Sequence, residues 1–224
     1  MDLIYSFLDS RKKKVVNKTL NHDIKFLRMF FDNAVKWDYI KENLFKKIDN
    51  LPLTDSKKIN SLSKAEITKI IAEIDRDVEK WFYNIFLFAL YTGMRRGELA
   101  ALTWSDQSSN YIDFDENLIK INKTKVKSNI RNIPIHEKIK KILLELRHLH
   151  KENGFSDDYV FRNFNGNPIN ATPLSISEKF KKITKRAGLE HITRFHSTRH
   201  TFVTHFVKFT KDKLLTSVYF GAYF

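Results

Sequence analysis

Thr92-Gly93-Met94-Arg95-Arg96-Gly97-Glu98-Leu99 is the stretch on which the reading of this chain turns. It follows an apolar run, Trp81 to Tyr91, that reads as a buried helix. Gly93 can take the backbone turn that ends such a helix, bringing Arg95 to the start of a short helix around 95–101. From there a guanidinium can reach a phosphate together with N–H groups of the helix end. Glu98 falls three residues on, on the same side, and can hold that guanidinium in place. An ordinary surface Arg–Glu pair would read the same way.

Outward from this stretch the organisation is legible. Ser63-Lys64-Ala65-Glu66 has the capping-box pattern of a helix start, so a domain is expected to begin near there. Helices are expected over 63–75 and 78–92. Leu118 to Ile121 and Ile130 to Ile135 are short, β-rich and separated by a lysine-rich stretch, which predicts a β-hairpin. Helices over about 136–150 and 174–187 follow, the second closed by Gly188, with a last helix from near Thr198. The turn formers and charges of Leu51 to Lys58 read as a linker. Before it, Ile24, Leu27, Phe30, Phe31, Ala34 and Val35 recur at helical spacing and predict one apolar face. Arg11-Lys12-Lys13-Lys14 separates that helix from a shorter one. The fold class is mainly α with a small antiparallel β-hairpin or sheet. Its expected domains are 1–50, a linker 51–60, and 61–224.

Two further features carry candidate chemistry. In His196-Ser197-Thr198-Arg199-His200, helical spacing sets His196 beside Arg199. Arg199 offers a fork for a phosphate and His196 a proton donor or acceptor near neutral pH. A solvated helix face would show the same residues. His200, one turn beyond His196, raises a metal pair, but no acidic ligands accompany it in the sequence. Lys123 and Lys125, at the expected hairpin tip, could protonate a leaving oxygen. Lysines at sheet edges also serve simply to discourage aggregation.

Composition narrows the partners. Forty Lys and Arg stand against 26 Asp and Glu in 224 residues, a formal net charge of +14. That excess favours polyanions, though an evenly spread solubility charge gives the same count. The chain has no cysteine, which excludes disulfides, thiolate metal sites and cysteine nucleophiles. No apolar stretch approaches the ~20 residues of a membrane span, no signal-peptide pattern opens the chain, and a cytoplasmic protein without membrane partners is expected.

Order and spacing join these features. Arg95 at a helix start, a lysine hairpin, and His196-x-x-Arg199 near the C-terminus resemble the catalytic domain of the tyrosine recombinase (phage integrase) family. The flanking Leu102-Thr103-Trp104-Ser105-Asp106 and Arg131-Asn132-Ile133-Pro134 match as well, and Thr19 through Asn43 is similar to the last helices of the family's core-binding domain. The resemblance implies a partial helical core-binding domain over 1–50 and an integrase-type catalytic domain over 61–224. It implies double-stranded DNA as partner, together with a second copy or a full-length recombinase on that DNA.

In this family a tyrosine attacks a DNA phosphodiester while arginines, a histidine and a hairpin lysine manage the charge. The resemblance makes Arg95 and Arg199 phosphate clamps, His196 the proton or hydrogen-bond partner and Glu98 the group that orients Arg95. Lys125 becomes the general acid, with Lys123 as the alternative. No metal or cofactor is required. The family's tyrosine follows a Leu-Gly-His turn by roughly nine residues. Here Val218-Tyr219-Phe220-Gly221 falls where that turn belongs, with Ala222 in place of its histidine. Tyr219 and Tyr223 come too early, so no nucleophile is expected within these residues, and a catalytic domain incomplete at its C-terminus is expected. The alternatives are a non-catalytic DNA-binding regulator of a full-length recombinase, or a gene remnant.

Overall fold

The computed structural model describes residues 2–53, 61–78, 80–106, 108, 110–122, 130–169 and 174–211. It divides into two compact units, Met1–Lys58 and Ile59–Phe224.

In the first unit α1 (Asp2–Lys12) and α2 (Asn17–Lys36) precede a 3₁₀ turn, Leu44–Lys47. Its core is small: Leu20, Ile24, Phe45 and Ile48, flanked by Leu27 and Phe31. Phe31 stacks on Phe45 with centroids 5.0 Å apart. Polar side chains fasten the segment after α2 where apolar area is scarce. Asn21 exchanges two 2.8 Å bonds with the main chain of Leu51, and Arg28 donates to the carbonyls of Phe45 and Ile48. The apolar face is narrower than its spacing predicts. Phe30 is 60% exposed, because the buried stripe runs through Leu20, Ile24, Leu27 and Phe31 and leaves it to one side.

The second unit opens with the capping box. Ser63 Oγ accepts from the Glu66 N–H, Glu66 Oε2 accepts from the Ser63 N–H at 2.7 Å, and α3 (Lys64–Asp75) follows. α4 (Trp81–Thr92) is apolar all round and buries Phe82, Ile85, Phe86, Phe88 and Ala89, which makes it the central helix. It starts at Trp81, later than the expected residue 78. Asp77, ahead of it, is instead buried between Lys179 at 2.7 Å and Arg186, two residues of α7 (Leu174–Arg186).

α5 (Arg96–Ala100) leads into the sheet, which among the described residues has three strands and not two. β2 (Leu118–Ile121) and β3 (Arg131–Pro134) form the expected antiparallel pair, and β1 (Asn110–Asp113) adds to the other side of β2. Ile112 faces Ile119, and Ile119 faces Ile133, so alternate residues point into the core. α6 (Glu137–Glu152) packs against α4, as does α8 (Ser197–Thr210), the last helix among the described residues.

An aromatic cluster sets the start of α8. Phe195 packs edge-on to Phe82 at 6.0 Å and to Phe180 at 5.6 Å, and Phe180 stacks on Phe86. Each buried ring contributes about 1.5–3 kcal/mol of apolar burial, so the residue before His196 is fixed from two helices, α4 and α7.

Candidate active site

Two local turns bring the candidate residues together. Gly93 ends α4 in the left-handed region, at φ +60°, and Arg95 then takes an extended backbone before α5. Glu98 closes the turn: its Oε2 accepts from the Arg95 N–H at 2.8 Å and its Oε1 from Arg95 Nη1 at 2.9 Å. At the start of α8, Ser197 Oγ and Thr198 Oγ1 donate back to the carbonyls of Arg194 and Phe195, both at 2.8 Å. Arg199, on the first turn of α8, is buried and donates from Nη1 to the Gly93 carbonyl at 2.5 Å.

A third guanidinium joins them. Arg131 Nη2 lies 2.7 Å from Glu98 Oε2 and Nη1 lies 3.2 Å from Oε1. Burial alone would raise the Glu98 carboxyl, but the hydrogen bonds and charge of Arg131, then the Arg95 N–H and guanidinium, hold it at about 2. Two guanidiniums thus share one carboxylate, and with Arg199 close by the cluster is positive. Burial and the nearness of Arg95 and Arg131 push Arg199 down to about 10, which leaves it charged at neutral pH.

His196 is exposed, with the His200 ring 5.0 Å away at 82°. Partial desolvation on its inner side, then His200, Arg199, Arg95 and Arg194, push its pKa down to about 4. The imidazole is therefore neutral at pH 7, able to donate from one nitrogen and accept at the other.

Beside these residues opens a cavity of about 970 Å³ whose walls include Arg95, Arg96, Ser177, Arg194, His196 and Thr198. Arg199 is not among the lining side chains; it sits buried against the Gly93 carbonyl. Arg96 lines the cavity with its Nη1 bound to Ser177 Oγ at 2.6 Å.

The structure thus gathers Arg95, Glu98, His196 and Arg199. Lys123, Lys125, Tyr219 and Tyr223 lie outside the described residues. Among the described residues no group of three or more His, Asp or Glu is placed to hold a metal ion. The sequence reading gave Arg131 no part in the site. A signal existed: Arg131 stands two residues before buried Ile133 in a strand, so its side chain belongs on the inward face.

Residues 60–213 match the model of the phage integrase family. The chain belongs to that family. Among relatives of this integrase-family chain is a tyrosine recombinase XerC-like protein of Caldanaerobacter subterraneus subsp. tengcongensis. It is 30% identical, over 84% of this chain and 55% of its own length. The ICEBs1 integrase of Bacillus subtilis is 29% identical, over 84% of this chain and 53% of its own. The chain therefore spans about half the length of the curated relatives it matches. In fold it is similar to the Tn1549 transposon integrase in complex with transposon right end DNA, with TM-score 0.74, 23% identity and coverage of 96% and 74%. It is similar also to a lambda integrase dimer bound to a COC' core site, with TM-score 0.77, 17% identity and coverage of 98% and 77%. The mainly helical fold with a small antiparallel sheet is that of the tyrosine recombinase catalytic domain. Among the described residues no helix is long and apolar enough to cross a membrane.

Proposed function

We propose that this chain binds duplex DNA as a tyrosine recombinase. In this reading it holds a backbone phosphate with Arg95 and Arg199 but brings no tyrosine nucleophile of its own within residues 1–224. The observation that carries the reading is a fixed guanidinium, Arg95, and a neutral imidazole, His196, at one cavity, with the buried Arg199 guanidinium holding the turn that presents Arg95. Phosphoryl transfer through a charged transition state calls for that arrangement: cations fixed in advance, and a group able to donate or accept a proton nearby. Arg95, which lines the cavity, takes a non-bridging oxygen. Arg199 supplies charge from below and fixes the main chain ahead of Arg95. Neutral His196 donates a hydrogen bond to a phosphoryl oxygen or accepts a proton from an attacking hydroxyl. Lys125, or alternatively Lys123, delivers a proton to the leaving 5′-oxygen. No metal ion is assigned a step.

Residues 1–50 then belong to a core-binding domain, which adds phosphate contacts, and residues 61–224 to an integrase-type catalytic domain. Similarity to a lambda integrase tetramer bound to a Holliday junction supports assembly of further copies on DNA. A tyrosine from outside residues 1–224 would complete the reaction. Because neither Tyr219 nor Tyr223 fits the family's nucleophile position, a second reading is a regulator that occupies recombination sites without cutting.

The deciding experiment is a duplex-DNA titration by fluorescence anisotropy at several salt concentrations. With about six phosphates contacted, affinity falls on the order of 10³-fold between 50 and 200 mM salt. A flat salt response would sink the DNA-binding reading.

A further inference from the structure

The mechanism above leaves one buried cation without a part. Arg131 begins β3, and its side chain is 3% exposed. It spreads across both oxygens of Glu98, at 2.7 and 3.2 Å, while the same two oxygens take the N–H and Nη1 of Arg95. The carboxylate is therefore gripped from the sheet and itself grips α5. A glutamate side chain held only by Arg95 would keep the freedom of its terminal torsion, and Arg95 would share it. A planar fork on both oxygens removes that freedom.

The ion pair also spans two elements. Arg131 pairs with Ile121 in the ladder, the last pair before the connection 122–130, which contains Lys123 and Lys125. The contact that orients Arg95 thus fastens α5 to the end of the β2–β3 ladder.

We infer that Arg131 is a positioning residue of this site, acting through Glu98 to set the Arg95 guanidinium against the phosphate. The inference rests on the reading of Arg95 as a phosphate clamp. Arg131 itself does not touch the phosphate. Its contribution is the direction and rigidity of a group that does, and misdirection of such a group is costly when positioning supplies much of the rate.

Orthovanadate, a tetrahedral analogue of phosphate, probes the site without a known DNA sequence. The probe is titrated into the chain labelled with ¹⁵N in its arginine and histidine side chains. Arg95 Nε and the His196 ring nitrogens are followed by NMR. The unaltered chain is expected to give saturable shifts at both. Arg131→Lys keeps the buried charge, and so the fold, but an ammonium cannot span both carboxylate oxygens. It should weaken vanadate binding about tenfold, a difference of roughly 1.4 kcal/mol. Before any vanadate is added, its Arg95 Nε signal should already be shifted or broadened. Arg95→Ala/Arg131→Lys should bind no worse than Arg95→Ala alone, because the two act as one unit.

Vanadate binding by Arg131→Lys equal to that of the unaltered chain would overturn the inference alone. So would losses that add in the double variant. No saturable response at Arg95 and His196 in the unaltered chain would overturn the clamp reading and the inference with it. A merely structural role would lower the thermal unfolding midpoint of Arg131→Lys while leaving the Arg95 signal and vanadate affinity in place.

Discussion

The guanidinium of Arg199 donates to the main-chain carbonyl of Gly93, 106 positions earlier in the chain. That bond closes the turn which presents Arg95, so the two arginines are not independent attachments to a surface. The turn itself depends on glycine. Gly93 sits at φ +60°, and a Cβ there would lie 2.6 Å from Cδ1 of Phe202 in α8.

Gly93→Ala is therefore expected to destabilise the second unit by about 2 kcal/mol, through left-handed strain and displacement of the Phe202 ring. For a unit of this size the thermal midpoint should drop by about 4–8 °C. Differential scanning calorimetry checks this. Phe202→Leu in the Gly93→Ala background should recover only part of the loss, since the strained φ remains. An unchanged midpoint would mean that the α4–α5 turn tolerates a side chain and holds Arg95 less firmly than its geometry implies.

Replacement of the arginines one at a time separates their tasks. Arg95→Ala removes the proposed phosphate ligand and should weaken duplex-DNA binding roughly tenfold with little change in fold. Arg199→Ala removes a buried charge and a bond to the Gly93 carbonyl, so both affinity and thermal midpoint should fall. Arg96→Ala should matter less than either, because its Nη1 is tied to Ser177 Oγ although the side chain lines the same cavity. Anisotropy titrations beside melting curves decide the matter. Equal, small losses at all three positions would show that the site has been misplaced.

The sequence carried most of the frame and part of the site, for physical reasons that differ by residue. Ser63 and Glu66 name a helix start because their reciprocal bonds are local, and Gly93 names a helix end because few other residues accept its φ. β1 was hidden: Asn110 and Asp113 are poor strand formers, and four residues give too short an alternation to notice. Phe30 misled because helical spacing fixes which residues share a side, not how wide a stripe a four-residue core can cover. Arg131 is hard to read from sequence because an arginine at a strand end usually faces water. Only its contact with Glu98, 33 positions away, shows what it holds. Pairings across such a separation leave no mark in local pattern.

Acid should weaken the fold in two steps. Glu98 sits at about 2 in the folded chain against an ordinary 4.5. Its ionised form is thus favoured by folding, and the associated stability is fully present above pH 4.5 and lost as pH falls toward 2. The span corresponds to on the order of 3 kcal/mol. His196 sits at about 4 against an ordinary 6.5, so the folded chain disfavours its charged form. The unfolded chain takes up that proton first, and stability declines as pH falls from 6.5 to 4. His200 is lowered by burial and by Arg199 and acts in the same direction. Urea unfolding midpoints measured between pH 7 and 2.5 should therefore slope downward through both windows. His196→Asn should flatten most, not all, of the upper one, and Glu98→Gln the lower. An upper window unchanged in His196→Asn would show that His196 titrates normally.

This chain, incubated alone with DNA, is expected to form no covalent adduct. Cleavage needs a phenol oxygen in line with the leaving 5′-oxygen, and that placement supplies much of the rate. A phenol of ordinary pKa, about 10, must also lie among cations to ionise usefully at neutral pH. Tyr219 and Tyr223 fall on or beside the segment Val218 to Gly221, where the family's turn belongs and the nucleophile does not. In the proposed function Arg95, His196 and Arg199 would still polarise a phosphate, and the attacking oxygen is expected to come from outside residues 1–224. A nicked suicide substrate, which traps the cleaved state by releasing a short fragment, makes the test sensitive. After denaturing electrophoresis the labelled strand should run free of protein. If a recombinase carrying the family's tyrosine is added and the two assemble, the label should appear at the added protein's mass. The opposite result is just as clear. An SDS-stable band at the mass of this chain, lost on Tyr219→Phe or Tyr223→Phe, would place the nucleophile within these residues and make the chain a working enzyme by itself.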